Sequence, residues 1–161
     1  MAQQGNAERH AARLAAVQAI YQMELTGNDA ESVAQEFCEH RFGEIECGTD
    51  EPDEDFFSDL VRGVPHHQVE IDRAIAEGLS ENWKLQRIDS ILRAILRAGI
   101  YELVVRKDVP VKVVIDEYLD IAHAFFGGEE PAFVNALLDR VAHRKRATEF
   151  GETPADDELR F

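Results

Sequence analysis

Two arginines near the amino terminus are the residues of this sequence best suited to bind a polyanion. Arg9 and Arg13 are four residues apart, and His10 stands beside Arg9. On a helix this spacing puts both guanidinium groups on one face, one turn apart, where they could meet neighbouring phosphates. The same spacing also fits two solvated surface arginines. Spacing alone leaves both interpretations open.

Three further side chains could contribute to such a site. Tyr21 and Phe126 lie near the ends of predicted helices, where an aromatic ring could stack on an unpaired base or pack in the core. Arg97 follows Arg93 by one turn, between apolar positions of a long predicted helix. These two arginines could line a groove, or could run their aliphatic stems along the core.

Catalytic signatures are absent from the sequence. It contains no phosphate-loop glycine pattern, no dinucleotide fingerprint and no His-Glu-x-x-His motif. His66 and His67 are adjacent, so on a helix they point to different faces and are interpreted as solvated rather than metal-binding. The carboxylates are concentrated in a predicted loop and tail, where nothing would raise a pKa for acid-base work. We therefore expect a binding protein, neither an enzyme nor the carrier of a cofactor.

The elements that must position these residues are helical. Apolar residues recur at helical spacing along most of the chain, and no strand-like alternation bounded by hairpin turns occurs. About seven helices are predicted, with Asn28 and Asp53 as amino-terminal caps and Pro65 as a stop or kink. A short turn is expected around Trp83. The leucines expected to anchor the core between the long helix and the last one are Leu96 and Leu137.

Charge is spread unevenly along the 161 residues, whose formal net charge is -15. Residues 26–60 hold twelve acids and one arginine, whereas residues 84–112 hold seven bases and three acids. An acidic surface either favours a basic protein partner or simply keeps the chain in solution. Residues 1–147 are predicted to form the domain, and the acidic residues 148–161 a disordered tail. The absence of a long apolar run or a leader pattern predicts a cytoplasmic protein with no membrane association.

Four segments resemble the NusB family of transcription antitermination factors, in register from about residue 8 to residue 143. They are Ala16-Val-Gln-Ala-Ile-Tyr21, Ile95-Leu-Arg-Ala-Gly-Ile-Tyr-Glu-Leu103, Asp108-Val-Pro-Val-Lys-Val-Val-Ile-Asp-Glu117 and Phe126-Gly … Phe133-Val-Asn-Ala-Leu-Leu-Asp139. The second and third segments, joined by one short turn, are the most specific part of the match.

The resemblance implies an all-α fold of two small helical bundles packed side by side. It implies binding to the boxA element of ribosomal RNA transcripts, as a pair with NusE, a basic small-subunit ribosomal protein. It also implies that the assembly joins the RNA polymerase antitermination complex and suppresses premature termination. A homodimer is possible.

The resemblance also assigns an RNA-facing surface. An arginine-rich first helix faces RNA in the family, and this sequence keeps two of those arginines and an adjacent histidine. The loop and helix start after Phe126 belong to the same surface, although Glu130-Pro131 replaces the usual Asp-Ser. Together with the candidates above, the predicted RNA-binding residues are Arg9, His10, Arg13, Tyr21, Arg97, Phe126, Gly127, Glu130 and Phe133.

Two alternatives remain at this stage. Because the first helix keeps only two of the family's arginines, the sequence also fits a helical protein-protein adaptor that does not bind RNA itself. A NusB-like domain also precedes the catalytic domain of some ribosomal RNA cytosine methyltransferases. No catalytic domain follows residue 147 in this sequence, which disfavours the second alternative.

Overall fold

A computed structural model describes residues 2–41, 52–79 and 88–152, and within these ranges the chain forms seven α-helices and no strand. The predicted all-α class is therefore confirmed. The chain divides into two compact units, Met1–His66 and His67–Phe161. The turn predicted around Trp83 and most of the acidic loop before Asp53 lie outside the described residues.

The first unit contains three helices: α1 (Ala2–Thr26), α2 (Ala30–Glu36) and α3 (Glu54–His66). A π-helical turn, Phe37–Arg41, continues α2. Both α2 and α3 pack against α1. The rings of Phe37 and Phe57 stack with their centres 5.5 Å apart and fix α3 against the turn after α2. The other large apolar side chains buried in this unit are Val17, Ile20, Val33, Phe56, Leu60, Val61 and Val64.

Side-chain caps begin two of these helices. The Asp53 carboxylate accepts a hydrogen bond from the amide of Phe56 at 3.0 Å, which confirms it as the cap of α3. For α2 the predicted cap, Asn28, is wrong by one residue. The Asp29 carboxylate accepts from the Ser32 amide at 2.7 Å, and this hydrogen bond holds the pKa of Asp29 below its ordinary value.

Proline ends α3 where the sequence predicts a stop. Pro65 is the penultimate residue of the helix, and the next helix begins at Gln68. Proline has no amide hydrogen to donate and its ring clashes with the carbonyl four residues earlier, so a helix stops or kinks close to it.

The second unit contains α4 (Gln68–Gly78), α5 (Ser90–Val104), α6 (Val111–Phe125) and α7 (Glu130–Lys145). Helix α5 is its centre, because α4, α6 and α7 all pack against it and every residue from Leu92 to Val104 is buried. Leu96 and Leu137 are buried, as the sequence predicts. The one buried carboxylate of α5, Glu102, accepts a hydrogen bond from the Tyr118 hydroxyl of α6.

Two glycines allow close packing of α7. A Cβ placed on Gly78 would lie 2.2 Å from Cδ1 of Leu137, and a Cβ on Gly99 would lie 3.1 Å from Cδ2 of Leu138. Arg140 of α7 donates to the Gly78 carbonyl at 2.8 Å and so ties α7 to the end of α4. These contacts fix α7, whose first turn carries part of the predicted site.

The predicted disordered tail is wrong for its first residues. Residues Ala147–Phe150 form a 3-10 turn that packs against α7. Within it, the Glu149 carboxylate pairs with the buried guanidinium of Arg146, and Phe150 stacks on His143 with ring centres 3.8 Å apart. The stretch after Glu152 lies outside the described residues.

Candidate nucleic-acid interface

The α1 part of the candidate site is built on one aromatic ring. The guanidinium carbon of Arg9 lies 4.8 Å from the centre of the Phe56 ring, and Arg9 Nε is 4.0 Å from a carboxylate oxygen of Asp53. The Asp53 amide donates to the Glu8 carbonyl at 3.0 Å, which holds the start of α3 beside α1. The Arg9 side chain remains 38% exposed. It therefore presents a positioned positive charge to solvent.

Arg13 occupies a different environment from the one expected. Its guanidinium carbon also lies 4.8 Å from the Phe56 ring centre, but the residue is only 2% exposed. The expectation of two arginines on one accessible face is therefore wrong for Arg13. A guanidinium that is weakly hydrated and flat can be buried against an aromatic face, which a lysine ammonium does less readily. A direct contact between Arg13 and phosphate stays a prediction, and in this conformation Arg13 positions α1 against α3.

The other α1 candidates lie near the surface. His10 and Tyr21 are both half-buried. Tyr21 is twelve residues after Arg9 in the sequence, which corresponds to roughly 18 Å along a helix axis. A stacked base at Tyr21 and a phosphate at Arg9 would therefore belong to different nucleotides. Contact with RNA at either His10 or Tyr21 remains a prediction.

The second part of the set of predicted RNA-binding residues lies in the connection from α6 to α7, within the second unit. The Phe126 amide donates to the Ala122 carbonyl at 2.9 Å and ends α6, and the exposed Gly127 and Gly128 follow. Glu129 occupies the cap position of α7 without a side-chain cap hydrogen bond. Phe126 itself is half-buried. The predicted residues of this segment thus share one short connection and the first turn of α7.

A cleft of about 540 Å³ opens beside that first turn. Leu92 of α5, Ala132 and Phe133 give it an apolar wall, and Glu129 and Glu130 add two carboxylates. An apolar surface with carboxylate acceptors suits a flat base that carries amino groups better than it suits a phosphate. The cleft brings together Glu130 and Phe133, both of which the resemblance assigns to RNA.

Arg97 is held inside the second unit. Its guanidinium makes two hydrogen bonds to the Asp72 carboxylate of α4, at 2.9 and 3.1 Å, and the residue is 8% exposed. Neighbouring Arg93 donates to the Ile88 carbonyl at 2.9 Å. Burial, with a smaller contribution from the Arg97 charge, lowers the pKa of Arg93. The groove-lining interpretation gains no support, because both cations are engaged with α4 or with the start of α5.

Two residues that organise these cations were not singled out from the sequence. Phe56 is buried on α3, and its ring is the platform under Arg9 and Arg13. Asp72, which binds Arg97, carried no signal in the sequence beyond its position on a helix. Its partner lies twenty-five residues away, so no local pattern reveals the pair.

Neither a metal-binding cluster nor a membrane-spanning helix occurs in residues 2–41, 52–79 and 88–152. No group of three or more histidine, cysteine, aspartate or glutamate residues there is arranged to hold a metal ion. No helix in those ranges is long and apolar enough to cross a membrane.

Comparison with known sequences gives a consistent result. The model of the NusB family matches residues 10–143. A transcription antitermination protein NusB from Maricaulis maris is 53% identical over 146 residues, which cover 88% of this chain and 90% of that protein. One from Nitrobacter hamburgensis is 54% identical over 144 residues, again covering 88% of this chain and 90% of that protein.

Comparison with solved structures supports the same fold. A T. maritima NusB structure is 28% identical, with a TM-score of 0.71 over 95% of this chain and 97% of that one. A crystal structure of NusB and NusE in complex with double-stranded RNA contains a chain that is 24% identical. That chain has a TM-score of 0.71, over 84% of this chain and 96% of its own length.

Proposed function

This chain belongs to the NusB family, and from that membership we propose that it is a transcription antitermination factor that binds boxA RNA together with NusE. The observation that carries the proposal is the family match over residues 10–143. That match includes Arg13, Tyr21 and the whole α6–α7 connection. The match begins one residue after Arg9 and includes predicted RNA-binding residues in two parts of the chain, one in each compact unit.

The two parts have complementary chemistry for a single-stranded RNA. Arg9 offers an exposed cation for the phosphate backbone, which supplies affinity without reading sequence. The cleft at Phe133 and Glu130 offers an apolar wall and carboxylate acceptors for a base, which supplies sequence preference. The second part explains how an acidic protein can still contribute to RNA recognition.

A basic partner supplies the positive charge that this chain lacks. Its net charge of -15 repels RNA at long range and attracts a basic protein such as NusE. Association with NusE would offset that repulsion and add further phosphate contacts. The pair then delivers boxA RNA to the RNA polymerase antitermination complex in the bacterial cytoplasm, by binding and without catalysis.

Titration of labelled boxA RNA tests this function. Affinity is measured with this chain alone, with NusE alone and with both, at 0.15 M salt, and with a scrambled RNA of the same composition as control. We expect the affinity for boxA to rise at least about tenfold with both proteins, equivalent to about 1.4 kcal/mol of coupling. By linkage, boxA should tighten the protein pair by the same factor.

The alternative function, a protein-protein adaptor that does not bind RNA, predicts a different result in the same titration. The burial of Arg13 and the pairing of Arg97 with Asp72 favour it, because they leave fewer cations for RNA. An adaptor would bind NusE but leave the affinity of NusE for boxA unchanged. If NusE bound boxA with equal affinity with and without this chain, the result would contradict the proposed function and favour the adaptor.

A further inference from the structure

Asp53 places a negative charge beside the guanidinium of Arg9. Its Oδ2 lies 4.0 Å from Arg9 Nε, and both side chains reach solvent, with 38% of Arg9 and 32% of Asp53 exposed. At this distance the two charges attract each other without forming a hydrogen bond. Within residues 2–41, 52–79 and 88–152, the Arg9 side chain makes no other ion pair and no hydrogen bond. Asp53 therefore compensates part of the Arg9 charge without occupying its N–H donors.

The position of Asp53 is fixed by two hydrogen bonds. Its other carboxylate oxygen, Oδ1, accepts from the Phe56 amide at 3.0 Å as the cap of α3. Its own amide donates to the Glu8 carbonyl of α1, also at 3.0 Å. Both partners are backbone groups, so these bonds persist when a ligand approaches Arg9. A phosphate that binds Arg9 must therefore come close to a carboxylate as well.

The position of Arg9 is limited by the Phe56 ring. Its guanidinium carbon lies 4.8 Å from the ring centre, and an aromatic face attracts a cation held at this distance. If Arg9 swung away from Asp53, it would give up this contact. The start of α3 thus holds both members of the pair, and a ligand meets the cation and the anion together.

We propose that Asp53 weakens the contact between Arg9 and RNA phosphate, an inference that rests on the proposed function. A phosphate that is hydrogen-bonded to Arg9 lies within a few ångströms of the Asp53 carboxylate and is repelled by it. A phosphate contact holds RNA without reading its sequence. By weakening that contact, Asp53 keeps RNA of any sequence from binding through Arg9 alone, and binding depends more on base contacts and on the basic partner.

The variant Asp53→Asn tests this proposal. Asparagine keeps the cap, because its side-chain oxygen can accept from the Phe56 amide, but it removes the negative charge. We expect the affinity for boxA RNA, with NusE present, to rise about two- to fivefold at 0.15 M salt, and the increase to shrink at about 0.5 M. Scrambled RNA should show the same increase, because the strengthened contact is to phosphate. Asp53→Ser, which also caps a helix without a charge, should give the same result.

Asp29→Asn is the matched control, because it makes the same change at the cap of α2. Arg9 and Thr26 are seventeen residues apart on α1, roughly 25 Å along the helix axis, and Asp29 follows Thr26. Charges are screened over about 8 Å at this salt concentration. The control should therefore leave RNA affinity unchanged.

The Arg9→Ala variant shows whether the effect acts through Arg9. Adding Asp53→Asn to it should not increase RNA affinity. The proposal is overturned by unchanged or lower RNA affinity of Asp53→Asn, by an equal increase from Asp29→Asn, or by an increase that persists without Arg9. The proposed function fails separately, if the unmodified chain with NusE binds boxA no better than scrambled RNA. In that case the affinities for scrambled RNA still test the role of Asp53.

Discussion

The guanidinium carbon of Arg13 lies 4.8 Å from the centre of the Phe56 ring, in a position with 2% exposure. Arg9, one turn earlier on α1, lies at the same distance from the same ring but keeps 38% of its side chain exposed. One ring on α3 therefore holds one cation in the interior and one at the surface. Arg13 joins α1 to α3, and Arg9 presents its charge to solvent.

Replacing Arg13 should cost stability. Arg13→Met keeps most of the volume but removes the buried cation from the Phe56 ring, so we expect the free energy of unfolding to fall by about 1–3 kcal/mol. Arg9→Met, at the exposed position on the same ring, should cost less than about 0.5 kcal/mol. Urea unfolding of both variants measures the difference. Equal costs would show that burial does not distinguish the two arginines.

Replacing Arg9 should weaken RNA binding instead. Arg9→Ala removes one phosphate contact, so boxA affinity in the presence of NusE should fall severalfold and the salt dependence should lose about one unit of slope. Arg62→Ala is the matched control, because Arg62 is an exposed arginine on α3 that pairs with Glu31. Titrations at several salt concentrations give both quantities. An unchanged slope for Arg9→Ala would remove Arg9 from the RNA-binding surface.

The Arg97–Asp72 pair should behave as a structural unit. A double-mutant cycle with Arg97→Ala and Asp72→Ala should give a coupling energy of about 1–2 kcal/mol, since two hydrogen bonds join largely buried groups. Each single variant, once folded, should bind boxA with NusE as well as the unmodified chain does. If Arg97→Ala weakened boxA binding while Asp72→Ala did not, Arg97 would contact RNA directly.

The 3-10 turn after α7 should contribute to stability. A chain ending at Ala147 loses Glu149 and leaves the guanidinium of Arg146 without its carboxylate, so we expect a loss of about 1–3 kcal/mol. A chain ending at Glu152 keeps that pair and should melt within about 2 °C of the full chain. Calorimetry of the two truncated chains tests this. Equal melting temperatures would mean that the Arg146–Glu149 pair stabilises nothing.

Local patterns in the sequence predict most of the helices of this fold. The apolar repeat that buries Leu96 and the cap at Asp53 depend on residues within one or two turns, so they can be recognised without the tertiary structure. The cap of α2 was predicted one residue too early, at Asn28 instead of Asp29. Both residues are good capping residues, and only the backbone geometry decides between them.

The environments of charged residues were harder to predict. The sequence shows that Arg13 is on α1, but Phe56 is more than forty residues away and decides whether that arginine is buried. The same holds for Arg146, whose burial depends on the 3-10 turn Ala147–Phe150. Most of that turn belongs to the acidic segment 148–161, which was predicted to be disordered from its composition. Composition indicates only how well a segment is solvated on average. Here a single ion pair, between Glu149 and the buried Arg146, accompanies an ordered turn within an acidic segment.

Read-through of a terminator during transcription in vitro tests whether this chain is an antitermination factor. The template carries boxA ahead of the terminator, and the reaction contains RNA polymerase, NusE and the other members of the antitermination complex, with or without this chain. We predict that adding the chain increases the fraction of full-length transcript, and that scrambling boxA abolishes the increase. The same fraction of full-length transcript with and without the chain, on a template with intact boxA, would contradict the assignment as an antitermination factor.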